Sequence, residues 1–317
     1  MNHPEVVIFT NKRDITTDYI VRSLRVKNTP FVRINTEDVG DWRYIHKIGQ
    51  TGSCLKRGET TVSLDLVRGA YFRRPSEPIF SNHDDPGVRE YCREEWSYLL
   101  RSMYFELAEK WLNHPAQIIR AEDKLMQLKV AKDLNFSIPE TVVTNSKQDL
   151  ADLFSGGPVV AKPLTASLIE RSGDELVIFT STLSSADEID DIQLRWAPVI
   201  FQRKIVKSCD LRVTVVGDQV FCARIDSQSR KQTETDWRHS SVAELEHEIW
   251  PLPDVIAQQC IQLVKVLGLR FGAIDLVLDN EQKYWFLECN PNGQWAWIEN
   301  RTGLKISNAI VEIMLRI

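Results

Sequence analysis

The sequence contains no Cys-x-x-Cys pair and no group of cysteines with histidines. Its six cysteines (Cys54, Cys92, Cys209, Cys222, Cys260 and Cys289) are scattered. That spacing excludes zinc sites and a disulfide framework, and it reads as reduced, mostly buried thiols. No apolar run approaches the ~18 residues a membrane helix needs. The opening stretch to Asp14 lacks a basic leader and a small-residue cleavage site, so it reads as the first strand of a cytoplasmic protein. An excess of positive charge is missing too: 39 Lys and Arg stand against 44 Asp and Glu, a net charge of −5. A chain so balanced is not built to coat nucleic acid. GxGxxG, GxxxxGK[ST], GxSxG, HExxH and an EF-hand loop are all absent. A nucleotide bound here is therefore not held by either common glycine-rich loop. There is no internal repeat and no low-complexity tract.

What is present is ordinary globular composition: 43% apolar and 26% charged residues over 317 positions. Composition of that kind excludes a disordered chain, a collagen-like fibre and a coiled coil, and the length suits two or three domains. Val6–Thr10 reads as a strand, a helix follows with Ile20, Val21 and Leu24 on one face, and Phe31–Ile34 is a second strand. This β-α-β opening predicts a parallel sheet. Pro75 ends a strand at Tyr71–Pro75. Val88–Leu112 reads as a long amphipathic helix, and Pro115 breaks the chain. Glu122–Leu134 is a helix, Thr141–Thr144 and Pro158–Lys162 are strands, Glu175–Thr182 is another, and Ser184–Asp191 reads as an acidic loop. From Pro198 the pattern turns to hairpins. Leu211–Val216 and Gln219–Ile225 flank Gly217-Asp218, and Phe271–Leu278 and Lys283–Cys289 flank Asp279-Asn280. Val255–Leu267 and Ser307–Leu315 are helices.

The second hairpin is the informative one. Asp275 sits inside an apolar strand, where a carboxylate is costly unless paired or bound to a cation. Glu288 and Asn290 share a face by strand alternation, and Asp275 joins them if the connecting loop holds an even number of residues. Two carboxylates and an amide oxygen then form an incomplete hard-cation site, suited to Mg²⁺ that takes its other ligands from water and phosphates. The bland alternative is an exposed sheet face with scattered polar residues.

The Asp275-x(12)-Glu288-x-Asn290 pattern resembles the magnesium site of ATP-grasp ligases. Other stretches agree in order. Lys162 after Val159-Val160-Ala161 is similar to that family's ATP-phosphate lysine, and the resemblance selects Lys124 over Lys129 and Lys132 as the earlier ATP-binding lysine. Val199–Ile205 resembles the linker that receives adenine, through Gln202 and the backbone of Arg203 and Ile205. Cys209-Asp210-Leu211-Arg212 resembles the ribose and phosphate strand, with Asp210 on ribose. Tyr71–Pro75, Asp226-Ser227-Gln228, Asp236-Trp237-Arg238 and Glu288–Trp295 narrow the likeness to microviridin-type peptide maturases, the graspetide synthetases.

That resemblance implies an ATP-grasp fold of α/β and α+β character. Its parts would be an N-terminal α/β domain over 1–116, a central lid over 117–197 and a C-terminal domain over 198–317, enclosing the nucleotide. It implies ATP and Mg²⁺ as cofactors, and a precursor peptide with a leader segment and an acidic core as partner, with no nucleic acid and no membrane. A homodimer is allowed by the sequence and not required by it. In the implied reaction an Asp or Glu side chain takes the γ-phosphoryl group and a Ser/Thr hydroxyl or a Lys amine then displaces phosphate.

Arg212 would neutralise charge on the transferring phosphoryl group, and Arg238 would help hold the acidic acceptor. Arg224 depends on its hairpin: a two-residue turn sends it to the face opposite Arg212, a three-residue loop brings them together. Arg73 and Arg74 diverge if extended, so that one reaches the cleft and the other pairs with an acid. The chain departs from the family after Lys162, where only Gly173 represents the usual glycine-rich flap. Two rivals remain. One is a ligase that adds a free amino acid to an acceptor. The other is a nucleotide-regulated binding protein without turnover, against which the intact Asp275 and Glu288 argue.

Overall fold

The computed structural model describes residues 3–49, 52–165, 168–171, 174–177, 180–229, 233–235, 237 and 245–317, with backbone alone at 168–171 and 174–177. The expected opening is present. Val6–Thr10 is fully buried and runs parallel to both Phe31–Asn35 and Gly69–Phe72. The helix Ile15–Val26 starts where Asp14 accepts a hydrogen bond from the Thr16 N–H, and it buries Ile20 and Leu24. Beside this sheet lies a small antiparallel one, Arg43–Ile45, Cys54–Arg57 and Thr60–Ser63, which the sequence pattern did not reveal. Its strands are three or four residues long, too short for alternation to show.

The long helix runs from Pro86 to Leu107 and is capped by Asp85. It stops five residues before the expected Leu112. Ala108 takes a left-handed φ of 43°, and the chain turns back so that Trp111 bridges to Ala70 and donates its indole N–H to the Tyr104 carbonyl at 2.8 Å. Trp111 is 1% exposed, so its periodic position was right and its secondary structure was not. Burial of a large ring outweighed helix continuation.

The next sheet has the order Ser181–Leu183, Val159–Lys162, Val199–Arg203, Thr141–Thr144, all antiparallel. The expected strand Glu175–Thr182 is in fact two. Asp174–Val177 pairs with Leu168–Arg171 in a separate ribbon, and Ser181–Leu183 joins the larger sheet. An apolar run cannot tell one strand from two that change partners. The expected loop Ser184–Asp191 contains a helical turn at Ala186–Glu188, closed by a capping box between Ser185 and Glu188.

A five-stranded antiparallel sheet follows, with the order His247–Ile249, Gln219–Ile225, Lys207–Val216, Phe271–Asp279, Tyr284–Asn290. One face carries Leu211, Val213, Ile274, Leu276 and Phe286 against the helices Lys124–Asp133 and Asp254–Val266. Part of the other face meets the helices Ala296–Thr302 and Ile306–Arg316, which also cover Val6, Ile8 and Tyr71 of the first sheet. At Gly69 an added Cβ would lie 2.3 Å from the Met314 carbonyl oxygen, so only glycine permits this approach. Among the described residues no helix is long and apolar enough to cross a membrane.

Cys209, Cys222, Cys260 and Cys289 are buried, and Cys54 and Cys92 are partly exposed. Burial pushes the Cys289 thiol up to about 12 and raises Cys209, Cys222 and Cys260 as well. Thiolate is the reactive form, so Ellman titration of the native protein at about pH 8 should read two fast thiols and, after denaturation, all six. Four or more fast thiols would contradict this packing.

Candidate active site

Two adjacent strands build the floor of a cleft. Asp275 stands directly across from Glu288, so the two carboxylates share a face. The register shifts immediately after Asp275: Leu276 pairs with Phe286, and Leu287 is left as a bulge. Two consecutive residues, Leu287 and Glu288, therefore line the cleft, while Phe286 and Cys289 enter the core behind. Asn290 lies opposite Ala273 and is not among the cleft-lining residues. Its Oδ1 accepts the Asn292 N–H at 3.0 Å, which shapes the turn after the strand.

On its other side Asp275 pairs with the next strand. Arg212 is its register partner, and Arg212 Nη1 donates to Asp275 Oδ1 at 2.7 Å. Arg212 is 6% exposed, and its Nη2 donates to the Gln294 carbonyl. A buried guanidinium so placed fixes the direction of the carboxylate and adds positive charge at the cleft edge.

The opposite wall comes from the central sheet. Lys162 ends its strand at the cleft and donates to Gln202 Oε1 at 2.8 Å. Gln202, 2% exposed, in turn donates to Thr141 Oγ1. Lys124, the first residue of its helix, reaches over to the Pro163 carbonyl at 2.8 Å. Arg203 and Ile205 also line the cleft, yet the Arg203 guanidinium turns away to the Gly157 carbonyl and Glu140. What Arg203 offers the cleft is backbone. Asp210 faces Lys207 at 2.6 Å and accepts from Ser227 Oγ. The cleft encloses about 930 Å³ of empty space, part of it open to solvent.

Arg224 is elsewhere. It lies opposite Leu211 across the two-residue turn, pairs with Glu248 at 2.7 Å and borders a different cavity with Asp226 and Arg301. Arg238, with Asp236, His239 and Gly173, falls outside the described residues. Between them Trp237 lines the cleft, and its ring meets that of Trp297 at 5.2 Å.

Two residues were missed at the sequence level. Lys207 is 7% exposed at its side chain and also reaches the Thr235 carbonyl at 3.3 Å, tying the floor strand to the segment over the cleft. Gln127 is 2% exposed on the helix Lys124–Asp133. Its Nε2 donates to the Cys289 carbonyl at 2.7 Å and its Oε1 accepts the Cys289 N–H at 2.8 Å. Tyr284–Asn290 is an edge strand, and this amide supplies the missing backbone partner midway between Glu288 and Asn290. A signal existed: Gln127 falls in the apolar stripe with Ala131 and Leu134. Gln127→Leu should leave the Cys289 peptide unpaired and lower stability by about 2–3 kcal/mol. It should also weaken Mg²⁺-dependent nucleotide binding roughly tenfold, as loss of an orienting hydrogen bond does. Chemical denaturation and Mg·ADP titration read the two effects separately.

The donor set tests which ion fits. Among the described residues no three His, Cys, Asp or Glu side chains gather into a self-sufficient metal site. Two carboxylates side by side with lysines across the cleft suit a hard divalent cation that takes its remaining oxygens from a polyphosphate and water.

A family model described as a RimK-like ATP-grasp domain matches residues 121–314. A probable alpha-L-glutamate ligase of Shewanella baltica is 28% identical over 203 residues, 63% of this chain. The match spans 65% of the length of that relative. Two solved structures are similar over nearly the whole chain. One is a RiPP-associated ATP-grasp ligase of Chryseobacterium gregarium in complex with ADP and a leader and core peptide. It is 26% identical, with a TM-score of 0.89, over 99% of this chain and 97% of that one. The other is the macrocyclase MdnC of Microcystis aeruginosa bound with its precursor peptide. It is 28% identical, with a TM-score of 0.83, over 98% and 99% of the two chains.

Proposed function

Because the chain belongs to the RimK-like ATP-grasp family, we propose that it is an ATP-dependent ligase that cyclises a ribosomally made precursor peptide. One observation carries the chemistry: Asp275 and Glu288 lie side by side at the floor of a cleft whose far wall holds Lys124 and Lys162. Asp275, Glu288 and Asn290 would hold Mg²⁺, which would supply positive charge to neutralise the phosphates. Lys124, Lys162 and Arg212 would face the phosphates. Gln202 and the backbone of Arg203 and Ile205 would receive adenine, with Asp210 near the ribose. Arg238 remains a proposed holder of the acidic acceptor. An Asp or Glu side chain attacks the γ-phosphorus, ADP leaves, and a Ser/Thr hydroxyl or Lys amine displaces phosphate to close an ester or amide. Positioning and charge neutralisation are the demands of that step, and the cleft offers both.

A peptide substrate is favoured by likeness along 98–99% of the chain to two ligases whose structures hold precursor or leader and core peptides. The curated glutamate ligases match along 63%. They support a second reading, transfer of free glutamate to an acceptor. Co-expression with a short neighbouring open reading frame rich in Thr, Ser, Lys and acidic residues tests the first. Mass spectrometry should show loss of one water per ring. Phosphate release with ATP and single amino acids, without any peptide, would favour the second.

A further inference from the structure

A second cavity lies in the N-terminal part of the chain and shares no lining residue with the nucleotide cleft. It sits between the long helix and the small antiparallel sheet and holds about 1240 Å³ of empty space, partly open to solvent. Glu95, Trp96, Leu99, Ser102 and Glu106 line it from the helix Pro86–Leu107. Steps of four, three and four residues from Glu95 put Leu99, Ser102 and Glu106 on one helical face. Tyr44 and His46 line it from the sheet side.

Hydrogen bonding decides what these groups can offer a ligand. Behind Tyr44 and His46 stands Ser53, fully buried. Its Oγ lies 2.7 Å from Tyr44 Oη, 2.9 Å from His46 Nδ1 and in contact with Glu106 Oε2. Its N–H donates to Glu106 Oε1 at 2.6 Å. A hydroxyl has one hydrogen and two lone pairs, and a carboxylate only accepts. The Ser53 hydrogen therefore goes to Glu106, and Tyr44 and His46 each donate to Ser53 Oγ. That assignment satisfies Ser53 completely. It also fixes the neutral His46 as the Nδ1–H tautomer, with a lone pair left on Nε2. Ser102 donates its own hydrogen to the Tyr98 carbonyl at 3.2 Å. Tyr44, His46, Ser102, Glu95 and Glu106 thus present lone pairs alone. The Trp96 indole and the Tyr98 hydroxyl keep a hydrogen, so acceptors outnumber donors at this cavity.

Charge and shape point the same way. Among the described residues no lysine or arginine lines the cavity, and Glu95 makes no hydrogen bond or ion pair. Tyr44, Trp96 and Tyr98 supply aromatic surface. Aromatic faces attract cations, and a guanidinium also stacks on them. This surface already shows the effect: the Arg101 guanidinium carbon stands 5.0 Å from the centroid of the Tyr98 ring. A well-matched ligand brings positive charge, several N–H donors and a flat face. An ammonium has the first two and lacks the third.

We propose that this cavity binds a guanidinium group, the side chain of an arginine carried by the substrate peptide. The bearer rests on the reading that the chain cyclises a peptide; the guanidinium site itself does not. An arginine anchored here holds the peptide without occupying the place where its acidic side chains react.

The probe is N-acetyl-arginine methylamide, compared with its citrulline and lysine analogues. Each is titrated into the full chain and followed by amide NMR, so that affinity and place are read together. The arginine probe should move the resonances of Tyr44, Ser53 and residues 95–106 and leave those of the nucleotide cleft unmoved. Citrulline keeps the planar shape and the N–H groups but not the charge, and should bind roughly tenfold more weakly. The lysine analogue should also bind more weakly than arginine. Glu106→Gln should weaken the arginine probe about tenfold and Glu95→Gln, whose carboxylate is exposed, about threefold. Glu95→Gln should keep the wild-type melting temperature and Mg·ADP affinity, so it remains readable if Glu106→Gln, which also loosens Ser53, loses stability. Equal binding of the arginine and citrulline probes overturns the assignment. So does equal binding by the wild type and Glu95→Gln, or tighter binding of the lysine analogue. No binding, or shifts confined to other surfaces, overturns the cavity. If the probe binds as expected yet no peptide loses water with ATP, the cyclase reading fails while the guanidinium site stands.

Discussion

Asp275→Asn should abolish Mg²⁺-dependent nucleotide binding and lower turnover by about a thousandfold or more. The substitution keeps the shape and one oxygen, so the Arg212 hydrogen bond at 2.7 Å can re-form with a neutral partner. What it removes is the charge that faces both Arg212 and the proposed cation. Stability should fall by about 1–3 kcal/mol, because Arg212 stays buried without its anion. The discriminating measurement is ADP affinity with Mg²⁺ and with a chelator. In the wild type the two should differ widely; in Asp275→Asn they should coincide. A variant that still responds to Mg²⁺ as the wild type does would sink the metal assignment. Glu288→Gln should behave alike for the ion but cost less stability, since Arg212 keeps its partner.

Lys162→Met should raise the Kd for ATP about 10- to 100-fold with little effect on folding. The ammonium donates to a neutral acceptor, Gln202 Oε1 at 2.8 Å, which is itself anchored through Thr141. A phosphate would draw that ammonium more strongly than an amide does. Gln202→Leu loses this orientation and the proposed adenine contact but removes no charge, so it should weaken ATP less than Lys162→Met. Isothermal titration of both variants decides the order. The reverse ranking would place the phosphates elsewhere in the cleft.

Where the chain follows simple periodicity, the sequence was legible. Alternation put Glu288 and Asn290 on one side of a strand, but the regular hairpin register would set Asp275 across from Leu287, and only the bulge there brings it across from Glu288. The two-residue turn at Gly217-Asp218 was one of two readings, and it is the one that separates Arg224 from Arg212. Legibility failed where side chains replace backbone partners. Gln127 completes an edge strand from a helix 162 positions away in sequence; its place in an apolar stripe marks it as buried, but no local pattern names its partner. The bulge at Leu287 has no glycine to mark it. Asp174–Val177 and Ser181–Leu183 could not be told from one longer strand, because apolar content does not record which sheet a strand joins. Arg73 and Arg74 looked like strand neighbours, but the positive φ of 43° at Arg74 breaks the strand alternation.

The helix Ile306–Arg316 has a consequence for how the molecule comes into being. Ile310, Val311 and Met314 seal the same apolar cluster as Val6 and Ile8. During synthesis the strand Val6–Thr10 thus leaves the ribosome with one side bare, and it stays bare until position 314 has emerged. Such a sheet is exposed to aggregation in the interval. Deleting residues from 306 onward should yield insoluble material even though the cleft residues are all retained.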